Sequence, residues 1–260
     1  SIPGARWHPG SKTWRYPKRI DLLYEMKKHF QPLNVECNLL AELRQKEKAK
    51  KRAASHKVND VDVSLPTRME LYSHQKRMAA MALELDATAY FCEMGTGKTA
   101  AAIAVAGKRY CEGEIDRCLI VCPKSVMGVW AKEFPKFADF PFKVVVLDGP
   151  IKKRVQMIRE LNDRALQVAV INYEAIWRNP LGRELLKYVD GQMIICDESH
   201  RIKNGQAKQS RKAHNLGKKA DYRLALTGTP VTQSPLDIFS QYKFLDPNIF
   251  GTSWTQFKHR

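Results

Sequence analysis

TAYFCEMGTGKTAAAIAVAGKRY, residues 88–110, joins an apolar run, a glycine-containing turn and an alanine-rich stretch of good helix formers. That order predicts a strand over 88–92, a loop, and a helix over 98–111. A strand entering a helix through such a turn gathers several backbone N–H groups and the positive end of the helix dipole at one point, which suits a triphosphate. The amides of Gly95, Thr96 and Gly97 would cradle the phosphates, Lys98 would reach the β and γ phosphates, and the Thr99 hydroxyl would bind Mg²⁺. Cys92 stands where the full Walker A spacing wants glycine. A turn needing positive φ at Gly95 and Gly97 would account for the glycines, but it leaves Lys98 and Thr99 unexplained.

Outward from this stretch, apolar runs alternate with helical patterns from about residue 66 onward. Strands are predicted at 88–92, 117–122, 143–147, 167–171, 192–196 and 222–226. Helices are predicted at about 73–85, 98–111, 125–137, 151–162, 181–188, 206–216 and 235–244. The strand candidates are apolar almost throughout, as strands covered on both faces are, so an α/β fold with a parallel sheet flanked by helices follows. Ligands on such sheets bind beyond the carboxyl ends of the strands.

Two further strand ends carry chemistry. QMIIC (192–196) delivers Asp197, Glu198, Ser199 and His200. Opposite a phosphate loop, Asp197 would hold Mg²⁺ while Glu198 orients and deprotonates the attacking water. Taken alone, an Asp-Glu pair at a strand end is an ordinary polar exit from a sheet. Ser199 lacks the G-x-S-x-G elbow of a serine hydrolase, and His200 has no partner histidine four residues on, so a hydrogen-bonding role is expected for it. LALTGTP ends a later strand with Thr227, Gly228, Thr229 and Pro230, which in isolation is a turn.

In this order and spacing, GTGKT (95–99), DESHRIKN (197–204) and LTGTP (226–230) resemble the first motor lobe of superfamily-two helicase-like ATPases. The DExHxxKN pattern resembles the Swi/Snf branch; DEAD-box RNA helicases would show DEAD and SAT. The resemblance spans about 66–245 and implies a RecA-like fold, ATP and Mg²⁺ as ligands, and double-stranded DNA as partner. ELYSHQ (70–75) resembles the leading motif and puts Gln75 in the adenine-recognition position. VCPKSVMGVWAKEF (121–134) and VINYE (170–174) resemble the segments facing the tracked strand, which makes Pro123, Lys124, Ser125 and Asn172 the DNA-side candidates. Small polar contacts to phosphate position a strand without reading its sequence. His200, Thr227, Gly228 and Thr229 would then connect the nucleotide to the DNA side. Motors of this kind close ATP against a second lobe that supplies an arginine finger. Too little chain follows residue 245 for a second sheet, so residues 1–260 alone are expected to bind nucleotide weakly and hydrolyse it poorly.

Three segments are expected: a small aromatic and basic element at 1–36, a basic helix or linker at 37–65, and the motor lobe at 66–260. GARWHPGSKTW (4–14) resembles the substrate-recognition element preceding the motor in some annealing-helicase relatives, and an amphipathic stretch runs from Ile20 to Phe30. The net charge is +17, of which residues 1–60 carry +8, and charge of that size concentrates polyanions. Lysine-rich stretches are also common on merely solvated faces. No apolar run approaches the roughly 18 residues of a membrane span, and the first 30 residues show no signal-peptide core, so a soluble intracellular protein is expected. The six cysteines form no CxxC pair and mostly lie in apolar runs, which favours reduced thiols over disulfides or zinc ligands. The abrupt termini at Ser1 and Arg260 suggest a piece excised from a longer chain. Two rival functions stay open on sequence grounds: an RNA-dependent ATPase of the same superfamily, and a non-catalytic nucleic-acid-binding module with a relic phosphate loop.

Overall fold

Six apolar runs become six parallel strands of one sheet. The computed structural model describes residues 6–8, 13–15, 64–162 and 164–259, and the chain divides into two units, residues 1–57 and 58–260. In the first unit, β1 (Arg6–His8) pairs antiparallel with β2 (Thr13–Arg15), with Trp7 opposite Trp14. The amphipathic stretch 20–30, the basic segment 38–57 and Cys37 lie outside the described residues.

The second unit begins its regular structure with α1 (Ser73–Glu84), followed by β3 (Ala87–Phe91), α2 (Lys98–Cys111) and β4 (Arg117–Cys122). A short 3-10 turn, Lys124–Val126, leads into α3 (Met127–Phe137), and then come β5 (Phe142–Val146), α4 (Ile151–Arg159) and β6 (Leu166–Asn172). After α5 (Leu181–Tyr188) and β7 (Met193–Asp197), a 3-10 turn at Ser199–Ile202 precedes α6 (Lys208–Lys219), β8 (Tyr222–Thr227) and α7 (Asp237–Leu245). Two short helices, α8 (Pro247–Phe250) and α9 (Trp254–Lys258), close the described chain.

The sheet order is β3-β8-β7-β4-β6-β5, every pair parallel. Burial follows that order. Every residue of β6, an inner strand, is buried, whereas the edge strand β3 alternates between buried and half-buried positions. One face packs under α1, α2 and α3, through Tyr90, Ile120, Val168, Ile195 and Leu224 among others. The opposite face packs under α4 to α7, through Leu119, Val121, Ala169, Ile194 and Cys196. This is the RecA-like arrangement, a parallel sheet flanked by helices. Burying each large aliphatic side chain contributes roughly 1.5–3 kcal/mol, and a one-residue slip would move a whole strand's set to the other face, so these pairs fix the register.

Five of the six cysteines lie among the described residues and all five are free thiols. Cys118 and Cys122 fall on one sheet face, and burial pushes both thiols up, that of Cys122 to about 12. Among the described residues no His, Cys, Asp and Glu group forms a metal-binding cluster, and no helix is long and apolar enough to cross a membrane.

Helix α6 runs three residues past the expected end at 216, through Gly217. Helix-breaking chemistry yields there to packing, because a Cβ on Gly217 would meet the Phe244 ring and carbonyl at 2.9 Å. Glycine at 217 allows the close approach of α7 and costs helix stability only modestly.

Candidate functional site

Parallel register brings the strand ends to one edge. Phe91 pairs with Thr227, Asp197 with Leu226, and Cys122 with Asn172, so the loops after β3, β8, β7, β4 and β6 emerge side by side.

At one end of this row is the loop Cys92–Gly97. Gly95 and Gly97 both take positive φ, at 81° and 76°, and Gly97 is the residue from which α2 starts. A Cβ on Gly97 would lie 1.9 Å from Gln75 Nε2, whereas nothing lies within 4 Å of the corresponding position on Gly95. Gly97 thus permits close approach of α1, and Gly95 leaves the loop's outer side open. Lys98 Nζ donates to the carbonyls of Cys92 and Glu93, both at 2.8 Å, and the Thr96 hydroxyl donates to Glu93 O at 2.9 Å. Gln75 Nε2 donates to Thr96 O at 3.2 Å while its Oε1 accepts from Tyr72 N at 3.0 Å. His74 Nε2 also lies 2.9 Å from Thr96 O. Helix α1 therefore grips the loop Cys92–Gly97 through two adjacent side chains.

Asp197 ends β7 two strands away. Its Oδ2 accepts from the indole Nε1 of Trp130 at 2.9 Å, and its Oδ1 from Glu198 N at 3.0 Å. Burial raises its carboxyl above the ordinary value, with Glu198 adding to that, while the two donors and the positive charge of Lys98 pull the other way. Lys98 and Asp197 thus share one electrostatic environment. Glu198 takes the left-handed conformation, φ 51°, which is uncommon for a residue with a Cβ and belongs to turns and functional sites. Its Oε2 accepts from Thr227 Oγ1 at 3.3 Å and lies 3.2 Å from His200 Nδ1, which in turn lies 3.1 Å from Thr227 Oγ1. Thr229 N donates to the same Thr227 hydroxyl at 3.1 Å, with the Thr229 side chain exposed. A Cβ on Gly228 would stand 3.4–3.6 Å from Met94 and Cys92 O, which places the turn after β8 against the loop after β3.

Farther along the edge, Lys124 and Ser125 are exposed on their turn and Pro123 is buried. Asn172 is buried and engaged on both sides of its amide: Oδ1 accepts from Arg154 Nη1 at 2.9 Å and Nδ2 donates to Glu174 Oε2 at 2.7 Å. Those two bonds fix the side chain at the β6 end, beside the exposed Glu174. Sequence reading named none of Trp130, Tyr173, Arg154 or Gln241. Tyr173 donates its hydroxyl to Asp197 O at 2.7 Å, and Gln241 accepts from the buried Ser199 hydroxyl at 2.8 Å. Each partner lies 18 to 67 positions away, where only the folded sheet makes the contact.

The loop after Pro230 is ordered by Asp237. Its Oδ2 accepts from Thr232 N at 3.0 Å, Thr232 Oγ1 at 2.8 Å and Gln233 N at 2.9 Å, and Lys203 Nζ lies 3.5 Å away. Desolvation works against the charge, but these donors and Lys203 hold the carboxyl well below its ordinary value. A depressed folded-state value stabilises the fold above the unfolded value near 3.8, and that contribution fades as pH falls below it. Asp237→Asn is therefore expected to flatten the dependence of stability on pH between about pH 4 and pH 2, as read from urea midpoints across that window.

The family described as SNF2-related domain matches residues 74–260. The chain belongs to that family. This SNF2-related chain is 29% identical over 263 residues to the SWI/SNF-related matrix-associated actin-dependent regulator of chromatin subfamily A-like protein 1 homolog of Caenorhabditis elegans, covering 100% of this chain and 36% of that protein. To the DNA repair and recombination protein RAD54-like of Drosophila persimilis it is 31% identical over 172 residues, 62% of this chain and 21% of that protein. The Sulfolobus solfataricus SWI2/SNF2 ATPase core in complex with dsDNA superposes with a TM-score of 0.63 at 29% identity, covering 77% of this chain and 41% of that one. The SNF2-related chain thus spans about a third or less of the length of these curated relatives, and its sheet corresponds to the first-lobe region.

Proposed function

We propose that this chain is the ATP-binding lobe of a double-stranded DNA translocase or remodeller that couples ATP hydrolysis to movement along DNA. The observation that carries the reading is the convergence of Lys98, Asp197 and Glu198 on one sheet edge, with the Thr227–Gly228 turn lying against both the phosphate loop and Glu198.

In this reading the amides of Gly95 to Thr99 and the α2 N-terminus receive the phosphates, and the Lys98 ammonium leaves its loop carbonyls for the β and γ oxygens. Gln75, already braced against Thr96 O, sits at the base side. Thr99 and Asp197 would hold Mg²⁺, which neutralises charge on the phosphates. Glu198 takes a proton from the attacking water. Thr227 and His200 touch the same Glu198 oxygen, so a change at the γ-phosphate is felt in the turn ending at Thr229. Lys124 and Ser125 offer phosphate contacts on the same rim, and indifference to base identity is what movement along DNA requires. A second lobe, in a longer chain, would close over the nucleotide, and the protein would work inside the cell. The DNA-bound Sulfolobus relative supports duplex DNA as partner.

ATP turnover, measured with duplex DNA and with RNA on a chain that includes the second lobe, tests the reading. Stimulation by duplex DNA is expected, and residues 1–260 alone should show a rate lower by about 10³–10⁵, the worth of a missing arginine finger. Stimulation by RNA alone would assign the chain to the RNA-dependent branch. Unstimulated, negligible turnover in the longer chain would leave only a binding module.

A further inference from the structure

We propose that Trp130 is a positioning residue for the Asp197 carboxylate and the lever through which the turn Lys124–Val126 acts on it. The inference rests on the reading that Asp197 serves the metal.

Trp130 is the bulkiest fully buried side chain among the described residues, 1% exposed, and its indole N–H is a donor with no acceptor capacity. That donor is spent on a carboxylate oxygen of Asp197, 67 positions away, rather than on a backbone carbonyl. With Glu198 N on the other oxygen, the carboxylate has one donor per oxygen, and its rotation about the terminal bond is fixed. Each oxygen keeps a lone pair for a ligand in the direction that the two donors leave free. Tyr173 secures the backbone of the same residue through Asp197 O. The carboxylate is thus oriented before any ion arrives, which is how partners behind a metal ligand set its affinity.

The lever follows from where Trp130 sits. It lies in the first turn of α3, which begins directly after the exposed turn bearing Lys124 and Ser125. Five residues of helical rise separate Ser125 from Trp130, about 8 Å. Phe134, one turn on, is buried against Trp130 with ring centroids 6.5 Å apart, so the helix moves with the indole rather than around it. Pressure on the turn from a phosphodiester backbone therefore reaches Oδ2 of Asp197 through one turn of helix and one hydrogen bond.

Trp130→Phe keeps an aromatic ring of smaller size and removes the N–H. Isothermal titration of ATP into the 260-residue chain at graded Mg²⁺ concentrations is expected to show the Mg²⁺ midpoint raised by about tenfold or more, with Mg²⁺-free nucleotide binding unchanged. A midpoint within twofold of the unaltered chain overturns the positioning role. Asp197→Asn, run in parallel, separates the two levels: if it leaves the midpoint unchanged, the metal reading of Asp197 fails and Trp130 falls with it, whereas an effect of D197N without one of W130F rejects Trp130 alone. The unaltered chain gives a measurement that does not depend on how W130F folds. Its Trp130 indole ¹⁵N–H resonance, assigned by elimination with W7F, W14F, W177F and W254F, is expected to move on adding Mg²⁺-ATP and again on adding duplex DNA. A resonance that stays in place with duplex DNA overturns the lever.

Discussion

Lys98→Ala is expected to weaken binding of Mg²⁺-ATP by about 30-fold to several thousandfold, the consequence of removing the charged partner of a desolvated phosphate, about 2–5 kcal/mol. The substitution disturbs little else. Position 98 is the first residue of α2, where alanine is a strong helix former, and the loop geometry depends on Gly95 and Gly97. Among the described residues, the hydrogen bonds of Lys98 Nζ go to the carbonyls of Cys92 and Glu93, both close to the loop surface, so solvent can replace it there. Duplex DNA affinity should stay within twofold, because Lys124 and Ser125 belong to a different strand end. Lys98→Arg should recover little, since a planar fork does not fit a site shaped for a compact ammonium. Calorimetric titration with nucleotide and a fluorescence anisotropy titration with duplex DNA measure the two halves. Equal losses in both would show a folding defect, and no loss in either would remove Lys98 from the site.

The elements of this molecule were legible where burial is complete on both sides of a strand. RCLIVC at 117–122 is apolar without alternation and becomes β4 over the same residues, and the helix after GTGKT runs over 98–111 as the alanine-rich pattern requires. The polar strand ends were legible for a related reason: Asp197, Glu198 and Thr227 stand where an apolar run closes, and Lys98 opens the helix after the loop that follows β3. What stayed hidden depends on lateral order in the sheet, which a linear sequence does not display. That β8 lies between β3 and β7 brings Gly228 onto the loop after β3 and Thr227 onto Glu198. Trp130 looked like ordinary core in an amphipathic helix, and its N–H acquires meaning only when β4 and β7 pair. The partners of Asn172 were hidden in the same way: Arg154, from the helix before β6, donates to its oxygen, and its amide nitrogen donates to Glu174. The three-residue strands β1 and β2 are too short to show a period of two.

Arg109→Ala is expected to lower the stability of the fold by about 3–5 kcal/mol, the loss typical of stranding one partner of a buried ion pair. Arg109 is 1% exposed, and its guanidinium makes an ion pair with Glu114, whose side chain is also mostly buried. Its second amino group donates to the carbonyls of Ala82 at 2.7 Å, Leu83 at 3.3 Å and Leu85 at 3.3 Å. Those carbonyls lie at the C-terminal end of α1, where a helix has no internal donors left to offer them. The guanidinium also stacks 3.6 Å from the centre of the Tyr222 ring, joining α1, α2 and β8 at one point. Alanine would strand Glu114 and leave the carbonyls unpaired in a place where water enters poorly. A lysine in its place would restore the charge but has one nitrogen to serve groups that a planar fork reaches together, so Arg109→Lys should recover less than half of the loss. Against a total stability of roughly 5–15 kcal/mol, the alanine variant should show a large drop in urea midpoint. The effect reaches the site as well, because α1 holds the phosphate loop through Gln75 and His74 at its other end. Where enough folded protein survives, nucleotide binding should weaken more than duplex binding, since α1 braces the phosphate loop and has no part in the Lys124–Val126 turn. A urea midpoint unchanged from that of the unaltered chain would show that the C-terminal end of α1 is held by packing alone.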